Sequence, residues 1–251
     1  MNIYESCMRQ NKGSMPTSWR LLCVLSLFHG ATCSSYSRPR APTDTRSSAS
    51  ALAANTAELP LGSDSAADTL LLDIQQADPR IRVDLRYASA DNFTGEPLPG
   101  YTGHHAYLRR EAALALGRVE ARADREGLRL HVFDAYRPVR ATLAMVAWAE
   151  RVGRTDLLRD GYIASRSRHN LGLAVDLTLE DRLTGAPLDM GTSFDTFSTA
   201  AHTANATGEV RANRARLDRL MRAEGFVNYD QEWWHYIFPL PDLLRFDRVI
   251  R

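Results

Sequence analysis

His169 stands seven residues before Asp176, and Glu232 stands three residues before His235. A fold that uses these groups together must bring two segments far apart in the chain side by side, with their side chains converging. Between them they offer two imidazoles, one carboxylate ligand and one spare carboxylate. A hydrolytic zinc ion needs that set: three protein ligands, an open position for water, and a base to take the water's proton. The pattern alone also admits a plainer reading, in which both histidines are satisfied structural residues.

Cysteine usage narrows the chemistry further. Cys7, Cys23 and Cys33 are the three cysteines of the 251-residue chain, so nothing beyond residue 33 can be a thiol nucleophile, a zinc-thiolate ligand or half of an internal disulfide. A metal ion in that part must be held by nitrogen and oxygen. The formal net charge of +1 gives no electrostatic case for nucleic acid or an anionic membrane, so neither is expected as a partner. His29, His104, His105, His131 and His202 have no carboxylate at a telling spacing and are not expected as ligands.

The amino terminus has the order of a secretory signal. Arg9, Lys12 and Arg20 precede the apolar run 21–28, and the small residues Gly30, Ala31 and Thr32 follow. The run is too short for a stable transmembrane anchor. Residues 1–33 are therefore expected to be a secretory signal segment, making the protein exported and periplasmic; an unprocessed disordered leader is the plainer alternative, and a start at Met15 would give a more compact signal. Gly30-Ala31-Thr32-Cys33 faintly resembles a lipoprotein cleavage box, although that pattern usually has Leu where Gly30 stands, so lipidation at Cys33 stays open. Residues 34–69 are rich in Ser, Ala, Thr and Pro with few large apolar side chains, and read as a disordered linker. The folded domain is expected over 70–251.

Within it, helix and strand patterns alternate. Ile81-Arg82-Val83-Asp84-Leu85-Arg86-Tyr87 alternates apolar and charged residues and predicts a strand. Residues 109–126 predict a helix stopped by Gly127, 128–133 a strand, and Pro138 opens a helix to 151. Strands at 174–179 and 233–238 and a helix at 213–224, closed by Gly225, complete the pattern. The expectation is a single α+β domain with a mostly antiparallel central sheet flanked by helices, and the zinc site on that sheet. Strand parity poses a problem there, because His169 lies an odd number of positions from Asp176. Gly172 is expected to bend the chain and re-aim the histidine. Glu232 is expected in the turn entering the last strand, with His235 pointing inward.

Resemblance adds to this reading. The segments Ser165-Arg166-Ser167-Arg168-His169, Ala174-Val175-Asp176-Leu177-Thr178 and Glu232-Trp233-Trp234-His235-Tyr236 resemble the D-alanyl-D-alanine dipeptidase family. Tyr87, Asp91-Asn92-Phe93-Thr94-Gly95, Tyr101, residues 134–140 and Met190-Gly191-Thr192-Ser193-Phe194-Asp195 extend it in order over nearly all of the expected domain. The histidine–aspartate and glutamate–histidine pairs are shared with a wider group of zinc peptidases that includes D,D-carboxypeptidases and the Hedgehog signalling domain. The resemblance implies one zinc ion per chain on His169, Asp176 and His235, with Glu232 as catalytic base and Arg137 polarising the scissile carbonyl. It implies Asp195 as the holder of the substrate's ammonium, with Ser167, Tyr87 and Tyr101 lining the pocket. The implied reaction is hydrolysis of D-Ala-D-Ala. The leader and linker depart from the family pattern. Two alternatives stand beside it: a cell-wall D,D-carboxypeptidase or endopeptidase, and a non-enzymatic module stabilised by zinc. Asp195 argues against the first, since long stems have no ammonium to offer there; Glu232 and Arg137 argue against the second. The sequence carries no signal of oligomeric state.

Overall fold

The computed structural model of the protein describes residues 59–241 and 243–251. The expected signal segment, and the linker as far as residue 58, lie outside the described residues. In chain order the elements are α1 (Asp64–Leu70), β1 (Leu71–Asp73), α2 (Ile74–Ala77), β2 (Arg82–Val83), β3 (Tyr107–Arg109), α3 (Arg110–Arg125), β4 (Leu128–Asp134), α4 (Val139–Arg151), α5 (Thr155–Arg159), β5 (Ala174–Asp181), α6 (Gly208–Arg222), β6 (Val227–Asn228) and β7 (His235–Ile237). Short 3₁₀ turns occur at Arg86–Ala88, Arg168–Leu171 and Thr199–Ala201.

The five-stranded central sheet has the order β2-β4-β5-β7-β6. β2 pairs with β4 in parallel, and the other three pairings are antiparallel. The sheet is thus mixed but mostly antiparallel, as expected, and the parallel pair is the one bridged by the long crossover through α3. β5 is central: residues 174–180 are all buried, because helices and loops cover both faces. Its face of Val175, Leu177 and Leu179 joins the main core, while Asp176, Thr178 and Glu180 carry polar groups on the other.

α3 shows how composition becomes packing. Half of its buried stripe is alanine, beside Leu116, Gly117, Val119 and Glu120, so the helix can sit close to its neighbours. At Gly117 a Cβ would lie 3.2 Å from the Ala77 carbonyl oxygen, so the absent side chain lets α2 press against the helix.

Order begins earlier than residue 70. Ser63 caps α1 by accepting from the Ala66 N–H at 3.1 Å, Ala67 is fully buried, and the Gly62 N–H donates to the Arg245 carbonyl at 2.8 Å. Residues 59–69 therefore belong to the folded part, which corrects the linker boundary. Their Ser/Ala-rich composition reads as linker, yet a capped helix burying one alanine needs nothing more apolar. The strand expected at 81–87 is only Arg82–Val83, and the chain then turns at Arg86–Ala88 with Leu85 and Tyr87 still buried. Alternation reported the burial there, not the backbone. α6 starts at Gly208, five residues before the expected 213, and β7 is confined to His235–Ile237. Among the described residues no helix is long and apolar enough to cross a membrane.

Candidate metal centre and catalytic cleft

β5 and β7 run antiparallel in a register that sets Asp176 opposite His235, with His235 Nδ1 2.9 Å from Asp176 Oδ1. His169 arrives from the 3₁₀ turn before β5. Ser167 starts that turn by accepting the His169 N–H on its Oγ at 3.2 Å. Gly172 ends it at φ +67°, and a Cβ there would lie 2.6 Å from Leu71 Cδ2 and 3.1 Å from the Arg109 nitrogen. The parity problem is solved by a helical turn with a left-handed cap, so the expected bend exists but is no bulge within a strand.

The result is a tight cluster. His169 Nε2 lies 3.2 Å from His235 Nδ1 and 3.3 Å from Asp176 Oδ2. One donor atom from each of the three residues lies within 4.8 Å of the others. His169 Nδ1 donates to the Ala135 carbonyl at 2.6 Å, which fixes the tautomer and leaves a lone pair on Nε2 aimed at the cluster. Burial keeps His235 neutral, lowering its proton affinity against the pull of Asp176. Burial also works against the Asp176 carboxylate, but the two imidazoles beside it outweigh that and hold it well below the usual range. Two imidazoles and a carboxylate, buried and converging, form a donor set that fits one zinc ion.

Glu232 sits in the turn before β7, as expected. Its N–H donates to the Tyr229 carbonyl at 3.0 Å, and its own carbonyl accepts the His235 N–H at 3.2 Å. Its Oε2 lies 3.8 Å from His235 Nδ1, beside the cluster and outside it. Burial, then the nearby Asp176 and Asp195 charges, push the Glu232 carboxyl well above the ordinary carboxylate range.

Arg137 leaves the corner after β4. Its guanidinium is clamped by Asp134, with Nε at 2.9 Å and an Nη at 2.8 Å from Oδ2. It lies 3.7 Å from Asp176 Oδ2 and over the Tyr87 ring, 4.9 Å from the centroid. The corner and the His169 turn are tied together: the Arg137 N–H donates to the His169 carbonyl at 3.1 Å, and Asn170 Nδ2 donates to the Arg137 carbonyl at 2.8 Å.

Asp134 and Asn170 are residues that sequence reasoning missed. Asp134 had a signal, a carboxylate three positions before the arginine at a strand end; Asn170 had none. Tyr101 falls outside the place expected for it: among the described residues it does not line the cleft, and its buried hydroxyl donates to Asp134 Oδ1 at 2.6 Å, behind Arg137. Its contribution reaches the cleft only through that carboxylate.

His169, Asp176, His235, Glu232 and Arg137 share one cleft of about 570 Å³. Its polar lining includes Arg137, Ser167, Asp176, Asp195 and Glu232, and apolar walls come from Phe93, Met145, Phe197 and Trp234. Asp195 is the one non-glycine among the described residues with a positive φ, at 58°. The Tyr87 hydroxyl lies 3.0 and 3.1 Å from its two oxygens. Burial, and then the Asp176 charge, push its carboxyl up to about 8. A carboxylate so placed is short of a cation.

Comparison with known proteins places the chain in a family. Residues 67–248 match the Peptidase_M15 family, described as D-ala-D-ala dipeptidase. A D-alanyl-D-alanine dipeptidase of Streptomyces coelicolor is 36% identical over 180 residues, covering 64% of this chain and 89% of the relative. One from Enterococcus faecalis is 36% identical over 180 residues with the same coverage. One from Escherichia coli is 34% identical over 173 residues, covering 68% of this chain and 86% of the relative.

Proposed function

The chain belongs to the D-Ala-D-Ala dipeptidase family, and on that premise we propose that it is a zinc-dependent hydrolase that splits D-Ala-D-Ala into two D-alanines. The observation that carries the reading is the convergence of the His169–Asp176–His235 donors with Glu232 and Arg137 in a single cleft. His169, Asp176 and His235 would hold a zinc ion, which when bound would supply Lewis acidity for the scissile carbonyl and for a water near pH 7.

The chain's own groups do the rest. Glu232 takes the water's proton and passes it to the departing amine, as its place beside the donor cluster allows. Arg137 stabilises the negative charge that develops on the carbonyl oxygen, and its pairing with Asp134 fixes its position beforehand. Asp195 takes the substrate's ammonium, with the Tyr87 hydroxyl orienting the carboxylate. Ser167 borders the cleft beside the His169 turn and supplies a hydroxyl to the substrate's polar end.

Asp195 and Tyr87 favour a dipeptide over the longer stems of a carboxypeptidase or endopeptidase. A chain extended at its amine would leave the Asp195 carboxylate desolvated and unpaired. The test is a comparison of purified protein on D-Ala-D-Ala, L-Ala-L-Ala and N-acetyl-D-Ala-D-Ala. Cleavage of the first alone is expected, and comparable cleavage of the acetylated substrate overturns the dipeptidase reading. We also propose export to the periplasm, supported by the basic, apolar and small-residue order of residues 1–33. The mature protein from its host is then expected to lack those residues; an intact amino terminus on cytoplasmic protein refutes it.

A further inference from the structure

Asn228 lies on β6 opposite Tyr236 of β7 and is 7% exposed. Its side-chain amide donates into the turn that carries both Glu232 and His235: Nδ2 lies 3.0 Å from the Glu232 carbonyl oxygen and 3.0 Å from the His235 carbonyl oxygen. Two acceptors on one side require the NH₂ end of the amide there, which leaves Oδ1 to accept the Thr203 hydroxyl at 2.7 Å. Thr203 is itself fixed, since its N–H donates to the Asp230 carbonyl at 2.9 Å.

The location gives this arrangement its meaning. The register of β7 with β5 ends at His235, opposite Asp176, with one further main-chain bond from the Leu177 N–H to the Trp234 carbonyl at 3.2 Å. Glu232 stands outside the ladder, three residues upstream on a turn, so sheet hydrogen bonds do not set its distance from His235. The Asn228 amide does so directly by gripping the backbone of both residues at once. The Glu232 carbonyl also accepts the His235 N–H, and the His235 carbonyl also accepts the Tyr229 N–H at 2.9 Å. Each carbonyl is thus held by a main-chain donor from the turn and by the same side chain.

We propose that Asn228, oriented by Thr203, is a positioning residue that sets the base and one metal ligand relative to each other. It touches neither substrate nor metal and acts through the backbone of Glu232 and His235. The inference rests on the dipeptidase reading, and zinc affinity measured without substrate separates failure of one from failure of the other.

The test compares wild-type protein with Asn228→Asp, Asn228→Ala and Thr203→Val. Three quantities are read: zinc affinity by competition with a chelating dye, kcat and KM on D-Ala-D-Ala, and melting of the zinc-free protein. Asn228→Asp keeps the shape but turns the donor end into an acceptor facing two carbonyls. It is expected to weaken zinc about 10–100-fold, the range for groups that orient metal ligands from behind. kcat should fall by a similar factor, with KM within about twofold of wild type because the substrate's charged ends are bound elsewhere. Asn228→Ala should move the same readings in the same direction. Thr203→Val retains both amide donors and loses only their orientation, so it should move zinc affinity and kcat the same way by a smaller factor. Should the Asn228 variants fail to fold, Thr203→Val alone decides. Variants that melt lower while keeping wild-type zinc affinity and kcat overturn the proposal, since Asn228 would then be a structural hydrogen-bonding residue. Wild-type protein that binds zinc but leaves the dipeptide uncut overturns the functional reading instead.

Discussion

Glu120 offers a test of the fold's electrostatics away from the cleft. It lies on α3 with no exposed surface; one carboxylate oxygen accepts the Leu130 N–H at 2.8 Å and the other has no hydrogen-bond partner. Burial lifts its carboxyl from the ordinary 4.5 to about 7, the Leu130 bond offsetting part of the rise. The sign follows from linkage. Below pH 4.5 the carboxyl is protonated both folded and unfolded, and the group imposes no penalty. Between pH 4.5 and about 7 the unfolded chain has lost the proton while the folded chain keeps it, so stability falls across that interval; above about 7 both are ionised and the penalty is constant. At about 1.4 kcal/mol per tenfold change in proton affinity, the interval is worth about 3 kcal/mol of folding stability, lost between acid and mildly alkaline pH. Glu120→Gln keeps the shape and the acceptor for Leu130 but cannot ionise. Denaturant unfolding of both proteins at pH 5, 7 and 8.5 should show the variant gaining on wild type by up to about 3 kcal/mol as pH rises, with most of the gain between pH 5 and 7 and little more above. A stability difference that stays constant across that range would refute the reasoning, because a pH-independent effect is packing rather than ionisation.

Other outcomes follow from the cleft. His169→Ala, Asp176→Ala and His235→Ala should each remove zinc and activity together, as read by metal analysis of the purified protein; full zinc occupancy in any of them removes that residue from the ligand set. Glu232→Gln should keep its zinc and its fold but lose about 10²–10⁴ in turnover, the usual worth of a placed general base, and near-normal turnover would require another base. Asp195→Asn should leave zinc content unchanged and narrow the preference for free over N-acetylated D-Ala-D-Ala; an equal loss on both substrates would make the residue structural. Asp134→Asn should lower kcat on D-Ala-D-Ala by at least tenfold, because Arg137 and Tyr101 lose the carboxylate that joins them. Unchanged kinetics would show that Arg137 needs no clamp.

The chemistry of this protein is written largely in one dimension. Residue types and spacing single out His169, Asp176, Glu232 and His235, because a metal ion constrains donor identity before it constrains geometry. The helices α3 and α4 and the strands β4 and β5 are legible for a related reason: each is a run long enough for its apolar residues to recur at the period of the element, which is a property of local sequence. Short pieces escape that logic. Two- and three-residue strands such as β1, β2 and β6 exist only because a partner strand supplies their hydrogen bonds, and no local period records a partner. The same holds for α1, whose Ser/Ala-rich sequence reads as linker until Ala67 has a core to enter.

Within the site the division is sharper. Sequence supplied the groups that touch the metal position and the cleft, whereas the groups that hold them came only with the fold. The Ala135 carbonyl that sets the His169 tautomer is backbone and has no residue signature at all. Tyr101 reaches Asp134 from 33 residues away, and even Asp134 and Asn228, three to seven positions from the groups they hold, act through buried hydrogen bonds that spacing alone does not reveal. Even the parity of His169 and Asp176 could be stated as a problem from sequence but not solved, since the solution depends on the backbone of Gly172 passing beside Leu71 and Arg109. Ligand identity is a matter of element and charge, which a sequence specifies directly. The placement of those ligands to within an ångström depends on contacts between segments that only the folded chain brings together.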